Sequence, residues 1–186
     1  DRAKNACDSV RDSFTRSIGV YDDTLHKAEL YAERLIEDFC AAIEQKQFKV
    51  YFQPKFDISG KDPFLIAAEG LVRWQHPELG LISPGVFIPL FEGNGLIQDL
   101  DHYVWRETAR QIRTWKDEIG YTVPVSVNAS RVDMYDKNIV YYLLDVLEES
   151  KLEASDLHLE VTESAYAEDA AQIVDTVKRP RALGFS

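Results

Sequence analysis

The chain has 186 residues, 45% of them hydrophobic and 11% aromatic, which is enough apolar material for a packed domain and too much for a disordered tail. Its 32 acidic residues against 21 basic ones give a formal charge of −11, which opposes sequence-independent binding to duplex nucleic acid or to an anionic membrane surface. On this balance a phosphate-ester ligand would need bound cations to offset the repulsion, which points towards a metal site.

The N-terminus, Asp1-Arg2-Ala3-Lys4, has no signal-peptide pattern, and no apolar run approaches the roughly 20 residues of a bilayer crossing. The segment is therefore expected to be soluble and free of membrane contact, with a membrane-anchored parent left open. Ser17-Ile18-Gly19-Val20-Tyr21, closed by Asp22-Asp23, predicts a strand ending in a turn. From Thr24 to about Gln47 the pattern turns helical, with Ala32, Leu35, Ile36, Phe39 and Ile43 on one stripe. A helix linking two modules and a plain N-terminal core helix both fit this pattern. Cys7 and Cys40, 33 positions apart with no clustering, give neither a disulfide framework nor a zinc signature; they are expected to be buried thiols in a reducing, cytoplasmic compartment.

Strands are predicted at Phe48 to Phe52 and Leu65 to Val72, and a helix opens at Ser83 and Pro84, with Ser as N-cap and Pro in the first turn. Gly93-Asn94-Gly95 reads as a turn. A longer helix follows over about 97 to 119, with Leu100, Val104, Ile112, Trp115 and Ile119 on its buried stripe. Strand, helix and strand recur at Val123 to Val127, Ile139 to Glu149 and Leu157 to Thr162, and a further helix runs from about Glu168 to Ala182. Trp74, Trp105 and Trp115 are expected in the core, and His26, His76, His102 and His158 in surface or structural roles. Strands separated by such helices imply an α/β fold with a parallel sheet, either a barrel or a doubly wound sheet.

Ligands of parallel α/β folds sit at the carboxyl ends of the strands. Three polar residues close apolar runs there: Glu69 in Ala67-Ala68-Glu69-Gly70-Leu71-Val72, Asn128 after Val125-Ser126-Val127, and Glu160 in Leu157-His158-Leu159-Glu160. Two carboxylates and a carboxamide from successive strands form a hard oxygen ligand set that suits Mg²⁺ or Mn²⁺ rather than zinc, and the chemistry it suggests is metal-assisted hydrolysis. Taken singly, each residue also fits a buried acid paired with Arg or Lys, or an Asn satisfying backbone groups.

Five ordered motifs carry a family resemblance. Tyr51-Phe52-Gln53-Pro54-Lys55, then Ala68-Glu69-Gly70-Leu71-Val72-Arg73-Trp74-Gln75-His76-Pro77, then Gly80-Leu81-Ile82-Ser83-Pro84 with Phe87-Ile88-Pro89-Leu90, then Val125-Ser126-Val127-Asn128, then Glu160-Val161-Thr162-Glu163 resemble the opening of an EAL domain over about 48 to 186. Residues 1 to 23 are similar to the end of a GGDEF domain, which leaves 24 to 47 as a connecting helix.

The resemblance implies an α/β, TIM-type barrel with one atypical first strand, cut to about its first half here. It also implies hydrolysis of cyclic di-GMP to a linear dinucleotide with two Mg²⁺ or Mn²⁺ ions. Glu69, Asn128 and Glu160 fall on metal-ligand positions, Glu163 on the position that steadies a ligand-bearing loop, and Gln53 and Arg73 on substrate-contacting positions; Leu71 packs beside the dinucleotide. The signature tripeptide departs from the pattern as Glu69-Gly70-Leu71, with glycine in place of alanine. The family's paired Asp, later Lys and last Glu would follow Ser186, so the second metal position is not assembled from these residues. A larger parent protein is therefore expected, with a homodimer through the EAL domain as a candidate assembly. The competing expectation is a non-catalytic EAL domain serving as a cyclic di-GMP receptor or protein scaffold.

Overall fold

The structure, a computed structural model, describes residues 23–161. The expected strand at 17 to 21, the helix at 168 to 182, Cys7 and Glu163 lie outside those residues. The chain divides into two compact units, one ending at Ala41 and the other beginning at Ala42.

In the first unit, the single helix expected from Thr24 is two: α1, Asp23–Glu37, and α2, Phe39–Glu44, which crosses the unit boundary. The interruption is at Asp38, whose N–H still bonds the Arg34 carbonyl at 2.9 Å. Leu35 and Phe39 are buried, as their stripe predicts. Cys40 corrects the expectation of a buried thiol: it is exposed, because α2 turns inward at Phe39 and Ala42 and position 40 falls off that stripe.

The second unit is a five-stranded mixed sheet with helices. Its strands are β1, Phe48–Asp57; β2, Phe64–His76; β3, Gly80–Ile82; β4, Val125–Ala129; and β5, Leu157–Val161. No helix separates β1 from β2, so the first two strands pair antiparallel as a long hairpin, as the atypical first strand of the resemblance implied. The parallel sheet expected from the alternation begins only at β2, which pairs β4, which in turn pairs β5. The short β3 pairs antiparallel with the end of β2.

Helix α3, Pro84–Asn94, opens at Ser83 and Pro84 as predicted, although the Ser83 side chain makes no capping hydrogen bond. It stops at Gly95, whose φ of 83° lies in the left-handed region that glycine enters without steric cost. Helix α4, Ile97–Glu118, buries Leu100, Val104, Trp105 and Ile112, but the expected stripe ends early: Trp115 is half-buried and Ile119 is 68% exposed, lying just past the helix end. Helices α5, Arg131–Tyr135, and α6, Ile139–Ser150, lead to a short 3₁₀ turn before β5.

The core beside β2 is aromatic. Phe48 and Trp74, opposite each other across the hairpin, have ring centroids 4.8 Å apart, and Phe87 and Phe91 of α3 lie within 5.9 Å of Trp74. The Trp74 indole donates to Gln47 Oε1 at 2.9 Å, so even this fully buried ring keeps its polar atom satisfied. The packing pins the β1–β2 hairpin from behind and leaves its other face to the polar residues.

Candidate functional site

The registers decide which side chains share a face. Residues directly opposite on neighbouring strands project to the same side, and alternate residues along a strand do so too. Gln53 lies opposite Glu69, Glu69 opposite Ser126, and Asn128 opposite Glu160. By alternation, Leu71 and Arg73 join Glu69, while Gly70, Val72 and Trp74 face the helices. Gln53, Glu69, Leu71, Arg73, Asn128 and Glu160 therefore occupy one face of the sheet.

Two of the expected ligands converge on one cation, the ammonium of Lys55 on β1. Lys55 Nζ donates to Glu160 Oε1 at 2.5 Å, stands 3.6 Å from Glu69 Oε2, and donates to Ser126 Oγ at 3.2 Å. The hydrogen bond with Lys55 holds the Glu160 carboxyl below its usual range, with help from Ser126, and the same bond with Glu160 raises the Lys55 ammonium above its own. Among the described residues no three His, Cys, Asp or Glu side chains converge, so the cradle comprises two carboxylates, with a carboxamide on the same face. Asn128 is fixed through its backbone: its carbonyl accepts a 2.9 Å bond from the buried Trp105 indole of α4.

A cleft of about 260 Å³ lies beside β2 and β4, lined by Gly70, Val72, Leu100 and Val104 of the helix-facing side as well as by Leu71, Arg73 and Asn128; neither Glu69 nor Glu160 lines it. Arg73 Nη1 donates to the neighbouring Val72 carbonyl at 2.8 Å.

Sequence reasoning missed Lys55 as a site residue, although period-two alternation from Gln53 puts it on the right face. It also missed the acid pair beneath the cleft. Asp133 is fully buried, its Oδ2 accepting from the backbone N–H and hydroxyl of Ser130, and Asp101 on α4 accepts from the same N–H at 3.2 Å. Burial first, and the Asp133 carboxylate second, push the Asp101 carboxyl far above the usual carboxylate range. Burial beside a second carboxylate therefore favours the protonated form of Asp101. His102 stacks on Tyr142 at 3.7 Å, and burial lowers its imidazole from the ordinary value despite Asp133 nearby. His76 is structural, its Nδ1 accepting from the N–H groups of Glu78 and Leu79, both at 3.1 Å. His158 lies on the site face, opposite Ser126.

A mixed sheet on which carboxylates of β2 and β5 meet the Lys55 ammonium of β1 defines an α/β class of domain. The chain belongs to the EAL domain family, which it matches over residues 36–186. It is 36% identical over 151 residues to the bifunctional diguanylate cyclase/cyclic di-GMP phosphodiesterase MucR of Pseudomonas aeruginosa, covering 81% of this chain and 22% of that protein. It is 35% identical over 143 residues to the cyclic di-GMP phosphodiesterase PdeR of Escherichia coli, covering 77% of this chain and 21% of that one. The solved PaMucR phosphodiesterase in complex with c-di-GMP superposes with a TM-score of 0.74 at 34% identity, over 82% of this chain and 61% of the other. The chain thus spans about a fifth of the length of these curated relatives. Among the described residues no helix is long and apolar enough to cross a membrane.

Proposed function

We propose that the whole protein is a cytoplasmic phosphodiesterase that hydrolyses cyclic di-GMP to a linear dinucleotide, with Mg²⁺ or Mn²⁺ held through Glu69, Asn128 and Glu160. The observation that carries this reading is the convergence of Glu69 and Glu160 on a single cation, 3.6 and 2.5 Å from Lys55 Nζ, in a chain of the EAL family. The donor set fits: oxygen ligands alone, two of them anionic, suit a hard divalent ion, and a cation stands between them already.

Such an ion, when bound, offsets the charge of the phosphodiester and activates water for attack on phosphorus. The chain's own residues bind and orient. Arg73, at the cleft, offers a fixed fork of donors to a non-bridging phosphate oxygen. Gln53, directly across the hairpin from Glu69, hydrogen-bonds the substrate beside the cradle, and Leu71 packs against the dinucleotide. Glu163 takes the family position that steadies a loop bearing further ligands, and a second ion belongs to the Asp pair, Lys and Glu of the family pattern. Residues 1–23 and 24–47 are assigned to the end of a GGDEF-like domain and to a connecting helix, and a homodimer through the EAL domain is the assembly to test.

The experiment is chromatographic assay of cyclic di-GMP with the whole protein. Linear dinucleotide should accumulate with Mn²⁺ and cease with chelator. Tight nucleotide binding without turnover at any Mn²⁺ concentration would replace the enzyme with the receptor.

A further inference from the structure

Lys55 stands where the cation of the proposed reaction would have to be. Its ammonium has three N–H donors, and the structure supplies three acceptors: Glu160 Oε1 at 2.5 Å, Ser126 Oγ at 3.2 Å and, more distantly, Glu69 Oε2 at 3.6 Å. Ser126 is buried and its own hydroxyl donates to the Ala68 carbonyl at 3.3 Å, so the acceptor aimed at Lys55 is held in place. This is a built site for a monovalent cation, delivered from β1 to two carboxylates on β2 and β5. Without the ammonium, two like charges on the strands that flank β4 would be left without a counter-ion.

We propose that Lys55 is the internal counter-ion of the metal-free site: its ammonium holds Glu69 and Glu160 together and leaves when a divalent cation enters, so that Lys55 sets the affinity of the cradle for metal. The proposal rests on reading Glu69 and Glu160 as cation ligands and adds a competitor to that reading. Two cations cannot share one pair of carboxylates without mutual repulsion at such short range. Entry of the divalent ion therefore releases the Lys55 side chain, which is 41% exposed and has room to swing outward. Metal binding is weakened by the strength of the ion pairs that must first be broken, as any ligand is weakened by a competitor for its site.

The test is calorimetric titration of the whole, chelator-treated protein with Mn²⁺, alongside its thermal denaturation without metal. Lys55→Met should bind Mn²⁺ about tenfold or more tightly than the parent and melt at a lower temperature when metal-free. Lys55→Arg, which keeps the charge, should show no such gain. A second measurement needs no variant: an amine-modifying reagent followed by peptide mass mapping should label Lys55 of the unaltered protein faster with Mn²⁺ than with chelator. Equal or weaker Mn²⁺ affinity in Lys55→Met, or labelling that Mn²⁺ leaves unchanged, overturns the counter-ion role while the phosphodiesterase reading stands. Failure of the unaltered protein to bind Mn²⁺ at all overturns both.

Discussion

The Trp105 indole donates a 2.9 Å hydrogen bond to the backbone carbonyl of Asn128, tying the central helix to the end of the strand that presents the carboxamide. Trp105 is fully buried, and β4 is buried at every residue except Asn128. Trp105→Phe keeps most of the ring but orphans that carbonyl, which costs about 1–3 kcal/mol. Urea denaturation of the variant should show this loss with an unchanged slope, and an unchanged midpoint would mean that the bond contributes nothing.

The Asp101 and Asp133 pair makes stability depend on pH. In the unfolded chain the Asp101 carboxyl loses its proton in the ordinary carboxylate range, whereas in the folded protein burial and Asp133 keep it protonated well above that range. Between those limits the native state binds the extra proton, so stability falls as pH rises. Asp101→Asn supplies a permanent N–H donor to Asp133 and an acceptor for the Ser130 N–H. Its stability relative to the parent should therefore grow by about 1 kcal/mol or more between about pH 5 and about pH 8. Parallel stability profiles for the two proteins would refute the raised Asp101 carboxyl.

Gly70 faces α4 through the hairpin, and a methyl group there would meet Thr108 Oγ1, Val127 Cγ1 and Val50 Cγ1, each at 3.3 Å. Those contacts are tight but short of a clash, and Gly70 lines the cleft through its backbone while facing away from Glu69 and Glu160. Gly70→Ala should therefore change stability by about 1 kcal/mol or less and leave turnover intact, whereas Gly70→Val should cost about 2–3 kcal/mol by overpacking. Thermal melts of the two variants give the comparison; a large loss in Gly70→Ala would show that this chain's departure from the family tripeptide is obligatory.

The residues that could be read without coordinates were those whose spacing is local. Glu69, Leu71 and Arg73 share a face because period two makes them do so, and the polar ends of β4 and β5 stood out against unbroken apolar runs. Pro84 and Gly95 marked the limits of α3 through backbone chemistry that depends on one or two residues. What was illegible depends on long-range pairing. Lys55 looks like any strand lysine until a partner 105 positions away reaches it. Asp101 sits on an amphipathic helix where an acid reads as solvated, and only the start of α5, after β4, brings Ser130 and Asp133 to it. Cys40 failed for a related reason, since a residue's general tendency to be buried does not fix which side of α2 it takes.

The most direct test of the shared cation is Mn²⁺ titration of the whole protein in three further forms: Glu69→Gln, Glu160→Gln and the double substitution. Each single change removes one charged oxygen while keeping the side chain's volume, and loss of a ligand should exceed the 10- to 100-fold effect typical of groups that merely support one. Each should weaken Mn²⁺ binding by more than about 100-fold, with a matching fall in cyclic di-GMP turnover, and the double variant should be little worse than either single one because one ion is lost in every case. Mn²⁺ affinity and turnover that survive both single substitutions would contradict the account.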